Sequence, residues 1–249
     1  MKRKLKNEIL ELGNQKGLWS YRKTKLRKKD IKKFIEKVHW KHISLLKLSE
    51  EFIIEFLDHL NLPTVLKNNK VSEELLDKVK DSLGDDEFWI ICRYQILSER
   101  FIEENKEKMA WYSIVNYQEL SDEFMDKFSK RIDWKCASRY QKMGEDLMRK
   151  YHEKLDWGMI SSSQTLSVEF IREFQDKINW LRLSNNKNIG ADVVDEFYDK
   201  ISWFDFLVTQ GNKAQLLNTD EIRRRLKLIP LEDEDEETPI SIITNKEER

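Results

Sequence analysis

Glycine and proline are scarce in this chain of 249 residues, at seven and three. Sandwiches and barrels need many tight turns, which draw on both residues, so a strand-rich fold is not expected. Cysteine is limited to Cys92 and Cys136. Two thiols make no disulfide framework, and reduced thiols in an intracellular protein are the expectation. The longest apolar run, Phe88 to Cys92, falls far short of the roughly 20 apolar residues that span a bilayer. The basic N-terminus has no apolar segment behind it, so neither a signal peptide nor a membrane partner is expected. A P-loop, a dinucleotide turn, a nucleophile elbow and a zinc spacing are also missing, which argues against an enzyme and against a cofactor. Of the four histidines only His39 and His42 stand at helical spacing; no further ligand type joins them, so no metal is expected.

What the sequence does have is a period. With Trp180 as a phase marker, the same position recurs at Phe88, Trp111, Trp134, Trp157 and Trp203, in steps of 23 residues. Trp19, Trp40 and Leu62 extend the series with less regular steps. Self-similarity of this kind marks a repeat architecture. Nine and ten residues after each marker come Leu97-Ser98, Leu120-Ser121, Met143-Gly144, Leu166-Ser167 and Ile189-Gly190, and both Ser and Gly suit a helix N-cap. Beyond the cap, apolar residues such as Phe170, Ile171, Phe174 and Ile178 form one face of a helix of about three turns. Just before the marker stand Asp133, Asp156, Asn179 and Ser202, cap residues that open a second helix at the marker itself. The predicted fold is therefore an all-α solenoid of tandem two-helix repeats, with divergent terminal units capping its ends.

Charge divides the chain further. Residues 1–18 form a basic segment with a weak stripe of Leu5, Ile9 and Leu12; residues 19–229 read as one solenoid, regular from 88 to 210; residues 230–249 are an acidic tail. Met1 to Lys37 carries 14 Lys or Arg against 4 Asp or Glu, and Pro230 to Arg249 carries 8 acidic against 2 basic residues. The tail has almost nothing to bury, so disorder is expected there. In the Trp19 unit the core positions Ile31, Phe34 and Val38 persist, while the other positions are flooded with cations. Arg22, Lys23, Lys25, Arg27, Lys28, Lys29, Lys32 and Lys33 make a candidate basic patch. The central units, taken as sequence, are net acidic. Past Gln210 the pattern slips, with Thr219 as a cap, Ile222 and Leu226 as a stripe and Pro230 as its end.

The segment WGMISSSQTLSVEFIREFQDKINW, Trp157 to Trp180, resembles short Trp-containing repeats found in proteins of large DNA viruses and phages. The resemblance covers Trp19 to Trp203. It implies a virus-encoded helical-repeat protein acting inside a host cell, in cytoplasm or nucleus, and it carries over no catalytic residue.

Seven residues after the marker stand Gln95, Gln118, Gln141, Gln164 and Gln210, with Lys187 as the exception, and Tyr94, Tyr117 and Tyr140 come one residue earlier. Two readings of this row stand side by side. Each Gln bonds orphan backbone groups at the turn between two helices, or the Tyr-Gln row is a binding surface. Solenoids present extended surfaces, so a non-catalytic scaffold binding a protein partner is the first functional expectation. Nucleic-acid binding through the basic N-terminal end is the alternative.

Overall fold

The computed structural model describes residues 7–8, 11–12, 36, 38–84 and 87–210. The Trp19 marker, the candidate basic patch, the Thr219 to Pro230 segment and the acidic tail lie outside the described residues. Fifteen α-helices and no strand occur among the described residues. None of these helices is long and apolar enough to cross a membrane.

The helices alternate in two kinds. The odd-numbered ones open at the markers, except that Phe88 is the N-cap of its helix: α1 (Trp40–Ile43), α3 (Leu62–Asn68), α5 (Trp89–Tyr94), α7 (Trp111–Tyr117), α9 (Trp134–Tyr140), α11 (Trp157–Ser163), α13 (Trp180–Ser184) and α15 (Trp203–Gln210). The even-numbered ones carry the apolar stripe: α2 (Glu50–Glu55), α4 (Glu73–Val79), α6 (Glu99–Glu104), α8 (Asp122–Lys127), α10 (Glu145–Lys150), α12 (Val168–Glu173) and α14 (Ala191–Glu196). The chain divides into two compact units, 1–160 and 161–249. In the first, the marker helices pack side by side, α3 on α5, α5 on α7 and α7 on α9. In the second, α13 packs on α15 and α12 on α14. Each unit is thus built of tandem two-helix repeats that pack on their sequence neighbours, the arrangement of a helical-repeat solenoid.

Both kinds of cap form. The hydroxyls of Ser49, Ser72, Ser98, Ser121 and Ser167 accept from the backbone N–H three residues on, at 3.1 to 3.3 Å. Asn61, Asp133, Asp156 and Asn179 cap the marker helices in the same way. The stripe helices are shorter than the three turns expected from periodicity, most of them having six residues. All but α4, which ends at Lys80, end at an aromatic or Asn residue whose ψ lies near 20°, such as Phe128 or Tyr151. The last stripe residue, Ile132 or Ile178, is buried in the turn that follows.

A marker tryptophan reaches back to four of these helix ends. The indole N–H of Trp111, Trp134, Trp157 and Trp203 donates to the carbonyl five residues back, at 3.0 to 3.2 Å. That carbonyl belongs to the first residue past the C-cap, which has no partner within the helix. The ring also packs forward on the next stripe helix, as Trp111 does on Phe124 and Phe128, and Trp134 on Tyr151 at 3.9 Å. One side chain therefore closes one helix and buries the next.

At the N-terminal end, Leu12 is buried with Val38, Ile43, Phe52 and Phe56. Glu8 accepts from the backbone N–H of Ser49 at 2.8 Å. The first described repeat is thus covered by a segment that precedes it in the chain.

Trp134 is only 5% exposed, so Trp134→Ala is expected to cost about 3 to 5 kcal/mol where the site does not collapse. Hydrogen exchange in the variant should quicken over residues 111 to 157 more than near Trp40, because repeat stability is carried by nearest neighbours. Uniform acceleration through residues 38 to 157 would count against that packing scheme.

Candidate functional site

The recurring glutamines are the place where one repeat is tied to the one before it. The Gln118 amide nitrogen donates to the carbonyls of Cys92 and Gln95 at 2.8 and 2.9 Å, and its oxygen accepts from Leu97 N–H at 2.9 Å. Gln141 does the same to Val115, Gln118 and Leu120, and Gln95 to Leu66, Asn69 and Val71. Each amide closes the C-terminal end of the preceding marker helix and the turn beyond it. Gln95, Gln118, Gln141 and Gln164 are all buried. Of the two readings, the backbone-bonding one is therefore what Gln95, Gln118 and Gln141 show, and the four buried amides do not belong to a binding surface. The Gln210 side chain lies outside the described residues.

Two further members of this row are asparagines. Asn69 donates to Leu46 and Val65 and accepts from Leu48 N–H. Asn186, rather than Lys187, fills the position in the second unit, donating to Ser161 and Gln164 at 3.0 and 2.7 Å. The shorter amide stands one residue earlier than the glutamines do, while the cap and the next marker of its repeat keep their spacing.

A second ladder runs along the stripe helices. The carboxylates of Glu50, Glu73 and Glu99, each at the first position of its helix, accept from the backbone N–H of the next cap serine, Ser72, Ser98 and Ser121, all at 2.5 Å. In the following repeat the acid is the shorter Asp122, and the cap is Gly144, whose N–H lies 2.9 Å from one carboxylate oxygen and 3.2 Å from the other. A Cβ on Gly144 would come within 2.3 Å of Asp122 Oδ2, so this cap has no room for a serine unless the carboxylate moves. Burial pushes the Asp122 carboxyl up, although the Gly144 N–H works the other way.

The tyrosines behave differently from the glutamines they precede. Tyr117 and Tyr140 are 49% and 50% exposed and Tyr94 is half-buried. All three end a marker helix of the first unit. The Arg93 guanidinium lies 5.4 Å from the Tyr94 ring centre and 4.8 Å from that of Tyr117 in the next repeat, and Arg139 lies 5.2 Å from that of Tyr140. Lys67 stands 5.2 Å over the ring of Trp89.

These cations belong to a wider asymmetry. In the first unit, residues 40–47, 62–71, 88–97, 111–120 and 134–143 hold marker helices with their following turns. They contain eight Lys or Arg, and Glu119 is their one acidic residue. All eight cations are exposed, and none pairs with a carboxylate among the described residues. Residues 49–58, 72–83, 98–108, 121–131 and 144–154, which hold the stripe helices, have eighteen Asp or Glu against eleven Lys or Arg. There the cations are largely matched, as in Lys127–Glu103, Arg131–Glu107 and Lys150–Asp126 at 2.5 to 2.7 Å. Hydrogen bonds from Arg131 and Lys150 hold the Glu107 and Asp126 carboxyls below the usual carboxylate range. The net acidity read from the sequence is therefore concentrated in the stripe-helix layer, and the marker-helix layer is basic.

His39 and His42 face each other with ring centres 5.6 Å apart, and no group of three metal-ligating residue types gathers among the described residues. Burial pushes the Cys92 thiol up to about 11 and raises that of Cys136 as well.

Gln118→Glu is expected to lower stability by roughly 2 to 5 kcal/mol at neutral pH, since a carboxylate cannot donate to two buried carbonyls. The folded protein would hold that carboxyl protonated, raising its pKa above the unfolded value near 4.3, so the deficit should shrink as pH falls toward about 4. Urea unfolding at both pH values measures this, and a deficit independent of pH would show that the amide donors are not what matters. The thiols should react slowly with a thiolate-specific disulfide reagent at pH 8 and rapidly once the chain is unfolded; fast native labelling of Cys92 would contradict its burial.

Compared with known protein families, with curated protein sequences and with solved structures, the chain matches none.

Proposed function

We propose that the protein is a non-catalytic recognition scaffold whose first unit binds an elongated, negatively charged partner along the layer of marker helices. The observation that carries this reading is the set of eight exposed cations with no carboxylate partner on that layer. Like charges held together in one face repel, so the arrangement costs stability in the free protein and is relieved when an anion neutralises it. The rigid spacing of the marker helices favours an extended ligand over a compact one. Glutamine and tryptophan ladders fix each helix against its neighbours, so the face needs little ordering on binding. The basic N-terminal segment read from the sequence would add to the same attraction.

Heparin serves as a generic polyanion to test this. Affinity should fall steeply between about 50 and about 200 mM salt, as counterion release requires. Lys135→Glu, Arg139→Glu and Lys142→Glu combined should abolish binding at the higher salt, with unchanged circular dichroism. Lys127→Glu with Lys150→Glu, on the stripe layer, should leave it nearly intact. Absence of heparin binding at low salt, or equal damage from both sets of substitutions, would overturn the reading.

A further inference from the structure

Resting on the basic-face reading just given, we infer that the ligand is a single-stranded nucleic acid whose bases stack on Tyr94, Tyr117 and Tyr140, one ring per repeat. Cations alone would suit any polyanion. The tyrosines narrow the choice, because the same position of three consecutive repeats places a ring on the basic face, and two of these rings are about half exposed. The backbone groups that tie one repeat to the next are taken up by the buried amide one residue later and not by the phenol, so the exposed part of the ring is left for a ligand. Unpaired bases offer flat faces that stack on such rings whatever their identity.

The arginines fit the same ligand. The Arg93 guanidinium lies over the rings of both Tyr94 and Tyr117, and that of Arg139 over the ring of Tyr140. A guanidinium in that place pairs with a phosphate while a base takes the opposite face of the ring, or it serves as a stacking plane for the base itself. Lys70 adds a cation at the foot of the row, its ammonium donating to the Tyr94 carbonyl. Helical-repeat proteins that read single strands do so at about one base per repeat, and the Tyr94, Tyr117, Tyr140 series has that frequency. A duplex buries its base faces in its own stack and shows a protein only edges and phosphates. A polyglutamate chain has charge and no flat faces, so neither ligand uses the rings.

The test compares four probes on the full chain: oligo(U) and oligo(dT) of about twelve nucleotides, within the usual range of single-strand site sizes, a DNA duplex of that length, and polyglutamate. Both single strands should bind more tightly than the duplex and the polypeptide at equal salt. Replacing Tyr94, Tyr117 and Tyr140 by Ala should weaken single-strand binding by on the order of tenfold for each stacked base lost. Replacing them by Phe, which keeps the ring, should leave it nearly unchanged. The Ala variant should still bind heparin and keep its circular dichroism, since the substituted side chains are not core. Duplex or polyglutamate binding as tight as the single strands overturns the inference and points to double-stranded DNA or an acidic protein. So does an Ala variant that binds single strands as the parent does. In both cases retained heparin binding leaves the basic-face reading standing, whereas a wild-type chain that ignores heparin sinks both.

Discussion

A buried primary amide that donates backwards is the interaction on which the array depends. Helices of six or seven residues are too short to be stable alone, and each leaves several carbonyls and amides without an intrahelical partner. In the first unit Gln95, Gln118 and Gln141 collect two such carbonyls and one such amide apiece from the preceding repeat. Only a primary amide offers two donors and an acceptor at one end of a flexible stem, which is why neither Glu nor Lys could take over the role. The carboxylates of Glu50, Glu73, Glu99 and Asp122 perform the complementary task on the stripe layer, taking up cap N–H groups of the repeat that follows. Polar side chains running in opposite directions thus lock the two layers, and the apolar stripe fills the space between them.

Much of this was legible in the sequence because the physics is local and repeated. The period of 23, the two caps and the apolar stripe follow from helix chemistry that acts over a few residues. The length of the stripe helices was not legible. Periodicity continues through Ile132 and Ile178, which stay buried after the helix has ended, so a buried turn and a buried helical face leave the same apolar pattern. Asn186 was missed for a related reason. A shorter side chain did the work from one residue earlier, and strict alignment on the marker pointed to Lys187 instead. The signal was present in the neighbouring asparagines of Asn185-Asn186-Lys187, an amide displaced by a single step.

The candidate site divided along the same line. Tyr and Gln are adjacent in sequence and recur together, yet a helix end turns one side chain inward and the next outward. Gln118 is 6% exposed and Tyr117 is 49% exposed. Charge was harder to see, since net acidity averaged along the chain hides an alternation on a scale of about ten residues. Once consecutive segments are assigned to two layers, that alternation becomes a basic face and an acidic face, which only the fold can separate.

The direction of the glutamine ladder has a consequence for the birth of the chain. The turn after α5 has its carbonyls and amide satisfied by Gln118, a residue 21 to 26 positions further on. A growing polypeptide therefore cannot finish any repeat of this unit until the next one has left the ribosome, so native structure trails synthesis by one repeat throughout. Translation that stops between repeats leaves a last marker-helix turn with bare carbonyls, while loss of residues from the beginning leaves an idle amide and, on the stripe layer, a cap N–H without its carboxylate. The array is directional: its marker-helix turns are completed only from the C-terminal side.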